Sequence, residues 1–371
     1  MKYGLIYFRN TDNIGDDILS YAGKQFYPHV DYYIDRESLD VFTPDKREYV
    51  ATIVNGWYLH YSYTFQPSPY LLPLFVGTHF SKDGMIQNDW SYIDASVVRY
   101  LQQYGPVGCR DRHTADVLAQ KHVDSYFSGC LTMTLPKFAN VVPNHQTILV
   151  DVPGEVSAYV RQILPSNEIV EKTHRLTPEE TGGEWPEREA RLIEYLKLYQ
   201  GADIVITTRL HCALPCLALG TPVIFVASYD EDFQIRMESF ADYLPHYSVE
   251  DILSHKADDA LMHPAQGNSV DTLASQLRTS CQDFIRHTME AQQDTSLLPE
   301  PSFYRSMYVD RTQYMRYAIH VLHSRCCEYL KQIRLDSDNM KKTVTLCQSI
   351  LEENDRLKQQ LDRLSGDVVD R

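Results

Sequence analysis

The chain has 371 residues, with 35 Lys and Arg against 50 Asp and Glu, a formal net charge of −15. That length suggests two ordinary domains and a remainder, and the acidic balance argues against a nucleic-acid partner, which needs a basic footprint. Hydrophobic residues, 43% of the chain, can fill sizeable cores. No apolar run approaches the roughly 18 residues of a membrane span, and the N-terminus MKYGLIYFRN lacks the long apolar core and cleavage site of a secretory signal. The eight cysteines show neither a CxxC pair nor metal-ligand spacing. A reduced, cytoplasmic chain without a metal is therefore expected. Any anionic ligand must be held by local Arg, Lys or His against a repulsive global field.

In chain order, residues 2–8 read as a buried strand, and NTDNIGDDILSYAGKQF passes through a loop into a helix starting near Asp16. Strands follow at 50–55 and 72–77, a helix at 91–103, a strand at 105–109, a helix in RDRHTADVLAQKH and a strand at 123–127. This first Rossmann-like domain, 1–140, ends where PKFANVVPNHQ supplies Pro, Asn and polar residues. A second α/β domain, 147–300, opens on the strand TILVDV and carries a helix across 186–199. Its clearest piece is a strand at 203–207, a helix at 209–219 stopped by Gly220, and a strand at 222–227, which implies parallel strands and a right-handed crossover. Pro215 falls inside that helix, where it frees the carbonyl of His211. Cys212 and Cys216, one helical turn apart, read as buried core thiols.

Beyond 300 the pattern changes. A helical segment spans 301–335, and 336–365 carry a heptad with Met340, Cys347, Asn354 and Leu361 at a and Thr343, Ile350, Leu357 and Leu364 at d. Asn at an a position favours a parallel two-stranded coiled coil, hence a homodimer. Val344, Leu346 and Leu351 widen the apolar stripe beyond that seam, as in a helix packed on its own chain.

Four clusters could carry chemistry. Thr207-Thr208-Arg209-Leu210-His211 sits where a strand gives way to a helix, a position that attracts anions. Arg209 adds a forked cation and His211 a group that donates or moves a proton near neutral pH. The plainer alternative is a capping Thr, a paired surface Arg and a packed His. Asn13-Ile-Gly-Asp-Asp17 could place a Gly-backed turn and a carboxylate, Asp16 or Asp17, against sugar hydroxyls, or be an N-cap and a turn. It is not GxGxxG, so a dinucleotide is a poor fit. Arg110-Asp111-Arg112 could clamp a phosphate or carboxylate, or form a surface ion-pair cluster. Asn55-Gly-Trp57-Tyr58-Leu-His60 is dense in rings that suit sugar faces, with Asn55 and His60 for hydroxyls, or it is a satellite core under a loop.

Taken together, NIGDDI at 13–18, NGWYLH at 55–60, GCRDRHTADVL at 108–118, YFSGCLTMTL at 126–135 and TTRLHCALPCLALGTPVIFV at 207–226 resemble, in order and spacing, the polysaccharide pyruvyl transferase family. The resemblance covers residues 1 to about 245 and leaves the tail outside. It implies two Rossmann-like domains facing a cleft, similar to GT-B glycosyltransferases. It also implies transfer of the enolpyruvyl unit of phosphoenolpyruvate onto two hydroxyls of a sugar, giving a cyclic ketal and phosphate for polysaccharide biosynthesis. No cofactor beyond that donor substrate is implied. By the same resemblance Arg110, Arg209, Leu210 and His211 hold the donor, and His211 is the candidate acid. Asp16 would orient or deprotonate an acceptor hydroxyl. Asn13, Asn55, Trp57 or Tyr58, and His60 would line the acceptor.

The sequence departs from the family in one respect. Many members carry Lys at the end of a Ser/Ala-Tyr-Asp-x-Lys string, where this chain has Asp232; Arg236, one helical turn on, is the candidate substitute. Two other readings stay open: a GT-B-like glycosyltransferase using a nucleotide sugar, and a non-catalytic glycan-binding protein on the same fold.

Overall fold

The computed structural model describes residues 1–58, 66–81, 90, 93–164, 168–181, 183–227, 237–291, 294–308, 322, 326 and 347–359. They form two compact units, residues 1–42 with 48–295, and residues 43–47 with 296–371.

The larger unit holds two parallel sheets with alternating helices. The first has strand order β2-β1-β3-β4-β5-β6, from β1 (Lys2–Tyr7), β2 (Tyr32–Asp35), β3 (Val50–Tyr58), β4 (Leu71–Phe80), β5 (Val107–Cys109) and β6 (Ser125–Phe127). Helices α1 (Ile14–Lys24), α2 (Ala95–Tyr104) and α3 (Arg112–Gln120) connect them. Each starts at a side-chain cap: Asn13 accepts from the Gly15 amide, Asp94 from Ser96 and Val97, and Asp111 from Thr114. The second sheet has order β11-β10-β9-β7-β8, from β7 (Gln146–Val150), β8 (Glu168–Lys172), β9 (Ile204–Thr207), β10 (Val223–Ala227) and β11 (His246–Ser248). Here α4 (Gly154–Ile163), α5 (Trp185–Gly201) and α6 (Leu210–Leu219) are the connections. Gly220 ends α6 with φ 76°, the left-handed conformation a glycine adopts without strain. Short helices α7 (Val249–Leu253) and α8 (Asp258–Met262) and the long α9 (Asp271–Glu290) follow.

Three edge strands, β2, β8 and β11, escape the sequence reading for a shared reason. Their side chains are mostly half-buried or exposed, so none of the three shows the apolar run that marks a central parallel strand. Helix α9, within the segment assigned to the second domain, lies against β3 and β4 of the first sheet. One apolar core joins Ile14, Ile18 and Leu19 of α1 to Cys212, Ala213 and Cys216 of α6 and Leu192, Leu196 and Tyr199 of α5. Cys212 and Cys216 are thus core thiols.

In the smaller unit, α10 (Pro301–Tyr308) is followed among the described residues by a helix across 347–359. Of the heptad, Met340, Thr343, Leu361 and Leu364 lie outside the described residues. Cys347 and Asn354 are buried within the single chain, while Leu351 is 39% exposed.

Candidate functional site

In open α/β sheets, ligands bind beyond the carboxyl ends of the strands, where strand order reverses. The first sheet reverses between β1 and β3, the second between β7 and β9. A cavity of about 270 Å³ draws on both places. Asn13 and Asp16 follow β1, Trp57 is at the end of β3, and Arg110 follows β5; Thr208, Arg209, Leu210 and His211 follow β9, His174 follows β8, and Met237 completes the wall.

Arg110 is 2% exposed, and its Nη1 lies 3.4 Å from His211 Nε2. Its Nε is buried with no hydrogen-bond partner, and no carboxylate oxygen within salt-bridge distance of it is seen among the described residues. The expected ion-pair cluster is therefore not how Arg110 is used. Asp111 instead accepts from the Thr114 amide at 2.8 Å and pairs with His79 Nδ1 at 2.5 Å. Burial works against the Asp111 carboxylate, but His79 and Arg110 outweigh it and hold it well below the ordinary carboxylate range.

Arg209 is the N-cap residue of α6, its amide bonded to Thr207 Oγ1 at 2.9 Å. Its Nε donates to Asp151 Oδ2 at 2.7 Å. Asp151 also accepts from Thr173 Oγ1 at 2.6 Å and the His174 amide at 3.0 Å. Against burial, these bonds hold its carboxyl below the usual range. The plainer alternative for Arg209, a carboxylate partner, is thus partly realised, although the side chain still lines the cavity.

Asn13 caps α1 at 3.0 Å from the Gly15 amide and also lines the cavity. Gly15 serves a helix contact: a Cβ there would meet His211 Cβ at 3.0 Å, so the glycine lets α1 approach α6. Asp16, in the first turn, accepts from Thr11 Oγ1 at 2.6 Å. Burial lifts its carboxyl above the ordinary value despite Arg36, Thr11 and Arg110. The neighbouring Asp17 faces the core, where it pairs with Arg188, both nearly inaccessible. Of the two, Asp16 is the one that lines the cavity.

The aromatic segment divides. Trp57 lines the cavity, its Nε1 donating to Ser81 Oγ at 2.7 Å. Tyr58 and Asn55 are corrections to the expected acceptor set. Tyr58, 3% exposed, donates to the Asn55 carbonyl at 3.0 Å, and Asn55 Nδ2 donates to the Leu19 carbonyl at 2.9 Å. Both are buried polar groups satisfied within the core. A bulge between Val54 and Gly56, with Gly56 at φ 109°, breaks the strand's alternation. Asn55 and Trp57, two residues apart, therefore face different surroundings. His60, Asp232 and Arg236 lie outside the described residues.

Sequence reasoning did not single out His174, Asp151 or Met237. The run before His174, EIVEK, is polar, and Asp151 is marked by a left-handed backbone, φ 52°. Neither leaves a sequence pattern.

The fold and site define a two-sheet α/β protein with a cavity lined by Arg and His. The sequence model of the family described as polysaccharide pyruvyl transferase matches residues 13–231, more than half of the chain. The chain belongs to the polysaccharide pyruvyl transferase family. A sequence search of curated proteins finds no match. Among solved structures, an uncharacterised protein from Klebsiella pneumoniae is similar at 13% identity over 64% of this chain and 87% of that one, with TM-score 0.39. The UDP-GlcNAc 2-epimerase of Methanocaldococcus jannaschii is similar at 12% identity over 78% of this chain and 100% of that one, with TM-score 0.41. A wall teichoic acid polymerase is similar at 10% identity over 78% and 90%, with TM-score 0.40. Among the described residues, no helix is long and apolar enough to cross a membrane.

Proposed function

We propose that the chain transfers the pyruvyl group of phosphoenolpyruvate onto two hydroxyls of a sugar in a glycan or its precursor, using the two sheets as a GT-B-like pair. The observation that carries this reading is Arg110: a buried guanidinium without a described carboxylate partner, in contact with His211 in a cavity wall. Such a charge is costly until an anion joins it. The donor's phosphate and carboxylate are anions of the kind it fits.

In the reaction the C2–O bond to phosphate breaks and two C2–O bonds to the sugar form. Of the two hydroxyl protons displaced, one ends on the methylene carbon, which becomes a methyl group, and the other leaves on phosphate. His211 delivers the proton to the methylene carbon. Arg110 stabilises charge on the departing phosphate, with Arg209 adding a partly compensated cation. Asp16 accepts a hydroxyl proton; its raised carboxyl suits a base working nearer neutral pH than an ordinary aspartate. Trp57 offers a ring face to the acceptor, with Asn13 beside it. The test is a donor screen with sugars bearing paired hydroxyls. Release of phosphate from phosphoenolpyruvate together with a pyruvylated sugar is expected; nucleotide release from a nucleotide sugar would overturn the reading.

A further inference from the structure

His174 lines the cavity and has no part in the reaction just described. It is 1% exposed, and three hydrogen bonds fix it. Its amide donates to Asp151 Oδ2 at 3.0 Å, its carbonyl accepts from the Ile14 amide at 2.9 Å, and its Nε2 meets Tyr199 Oη at 2.9 Å. The residue thus joins the carboxyl edge of the second sheet to the first turn of α1. Tyr199 is wholly buried, and burial keeps its hydroxyl protonated. Its O–H can donate to Nε2, which leaves Nδ1 as the ring's N–H donor.

That Nδ1 is buried and has no hydrogen-bond partner. Proteins rarely leave a buried donor unpaired, and such groups concentrate where a ligand completes them. Gly15, which carries no side chain, lies beside this Nδ1. A Cβ at Gly15 would lie 3.4 Å from Nδ1 and 3.1 Å from Asn13 Oδ1, and Asn13 lines the same cavity. Arg110 and His211 line it as well.

We propose that His174 is a ligand-binding residue of this cavity, donating its Nδ1–H to an anionic oxygen of the bound donor, phosphate or carboxylate. The proposal rests on the phosphoenolpyruvate reading for the donor's identity, but its test needs only the anion. Tyr199 acts as a positioning residue that fixes the tautomer.

The experiment titrates inorganic phosphate, and separately pyruvate, into the full chain by calorimetry, for wild type, His174→Gln and His174→Asn. The Asn amide falls near the place of Nδ1 and the Gln amide near that of Nε2. His174→Gln should bind phosphate or pyruvate at least tenfold more weakly, and the probe affected identifies the group contacted. His174→Asn should stay within about threefold of wild type, since one hydrogen bond is restored. Equal losses in both variants, no loss in either, or a wild type that binds neither anion would overturn the proposal. Should the variants fail to fold, nitrogen NMR of histidine-labelled wild type decides: Nδ1 of His174 must respond to one of the two anions, and silence to both overturns it. Phosphate bound through His174 with no turnover of phosphoenolpyruvate would contradict the reaction and leave this site standing.

Discussion

Arg110 Nη1 and His211 Nε2 lie 3.4 Å apart, although Arg110 follows β5 of the first sheet and His211 opens α6 behind β9 of the second. A cation and an imidazole this close do not stabilise each other when both are charged. The pair makes sense as two donors aimed at one anion, and the division of labour between them can be separated.

His211→Gln keeps a donor near the place of Nε2 and removes the transferable proton. Donor affinity should be kept within a few fold, while kcat falls by about 10²–10⁴, the usual worth of a general acid. Calorimetry and phosphate release read the two effects independently. A variant that loses affinity alone would assign His211 to recognition.

Arg209 is expected to contribute less than its place in the motif suggests, because Asp151 already neutralises part of its charge. Arg209→Ala should raise the donor KM by about tenfold, or about 1.4 kcal/mol. Asp151→Ala should show a comparable defect by releasing both Arg209 and the His174 loop. The double variant should fall short of the sum, since the residues belong to one network. Strict additivity would show that the 2.7 Å bond does not organise the site.

Asp16 offers a test of sign. Its folded carboxyl titrates above the ordinary value because burial disfavours the charge. The stability this group contributes is therefore present at low pH and lost as pH rises through the folded pKa. At neutral pH the ionised form is a net cost. Asp16→Asn should raise Tm at neutral pH, with the advantage shrinking as acid protonates the wild-type residue, and should lower kcat. A lower Tm at neutral pH would contradict the assignment.

The Asp17–Arg188 pair joins α1 to α5, and Arg188 also donates to the Phe8 carbonyl at 2.7 Å. Removing one partner of a buried pair leaves the other uncompensated. Arg188→Ala should lose about 3–5 kcal/mol of stability in urea denaturation. Asp17 Oδ2 already lacks a partner, so Asp17→Asn should be milder.

How far the sequence reaches depends on the kind of signal. Central strands such as β9 and β10 and the Gly220 stop were legible because burial and backbone conformation leave an apolar run and a glycine. The edge strands β2, β8 and β11 leave neither. Within the site, Arg110, Arg209 and His211 were legible from charge at strand ends, whereas His174 follows a polar edge strand and joins the cavity only through tertiary packing. Asn55 and Tyr58 were misplaced because composition cannot show a bulge, and the bulge sends Asn55 to Leu19 while Trp57 reaches the cavity. For the tail, the heptad names Cys347 and Asn354 as seam positions, yet both are buried within one chain.

The most direct test of the account is calorimetric titration of phosphoenolpyruvate into wild type and Arg110→Ala. The account predicts binding to wild type and a loss of about 2–5 kcal/mol in the variant, the range for truncating a buried charged contact. Equal affinity in the two proteins, or no binding to wild type, would contradict the claim that Arg110 is the centre of the donor site.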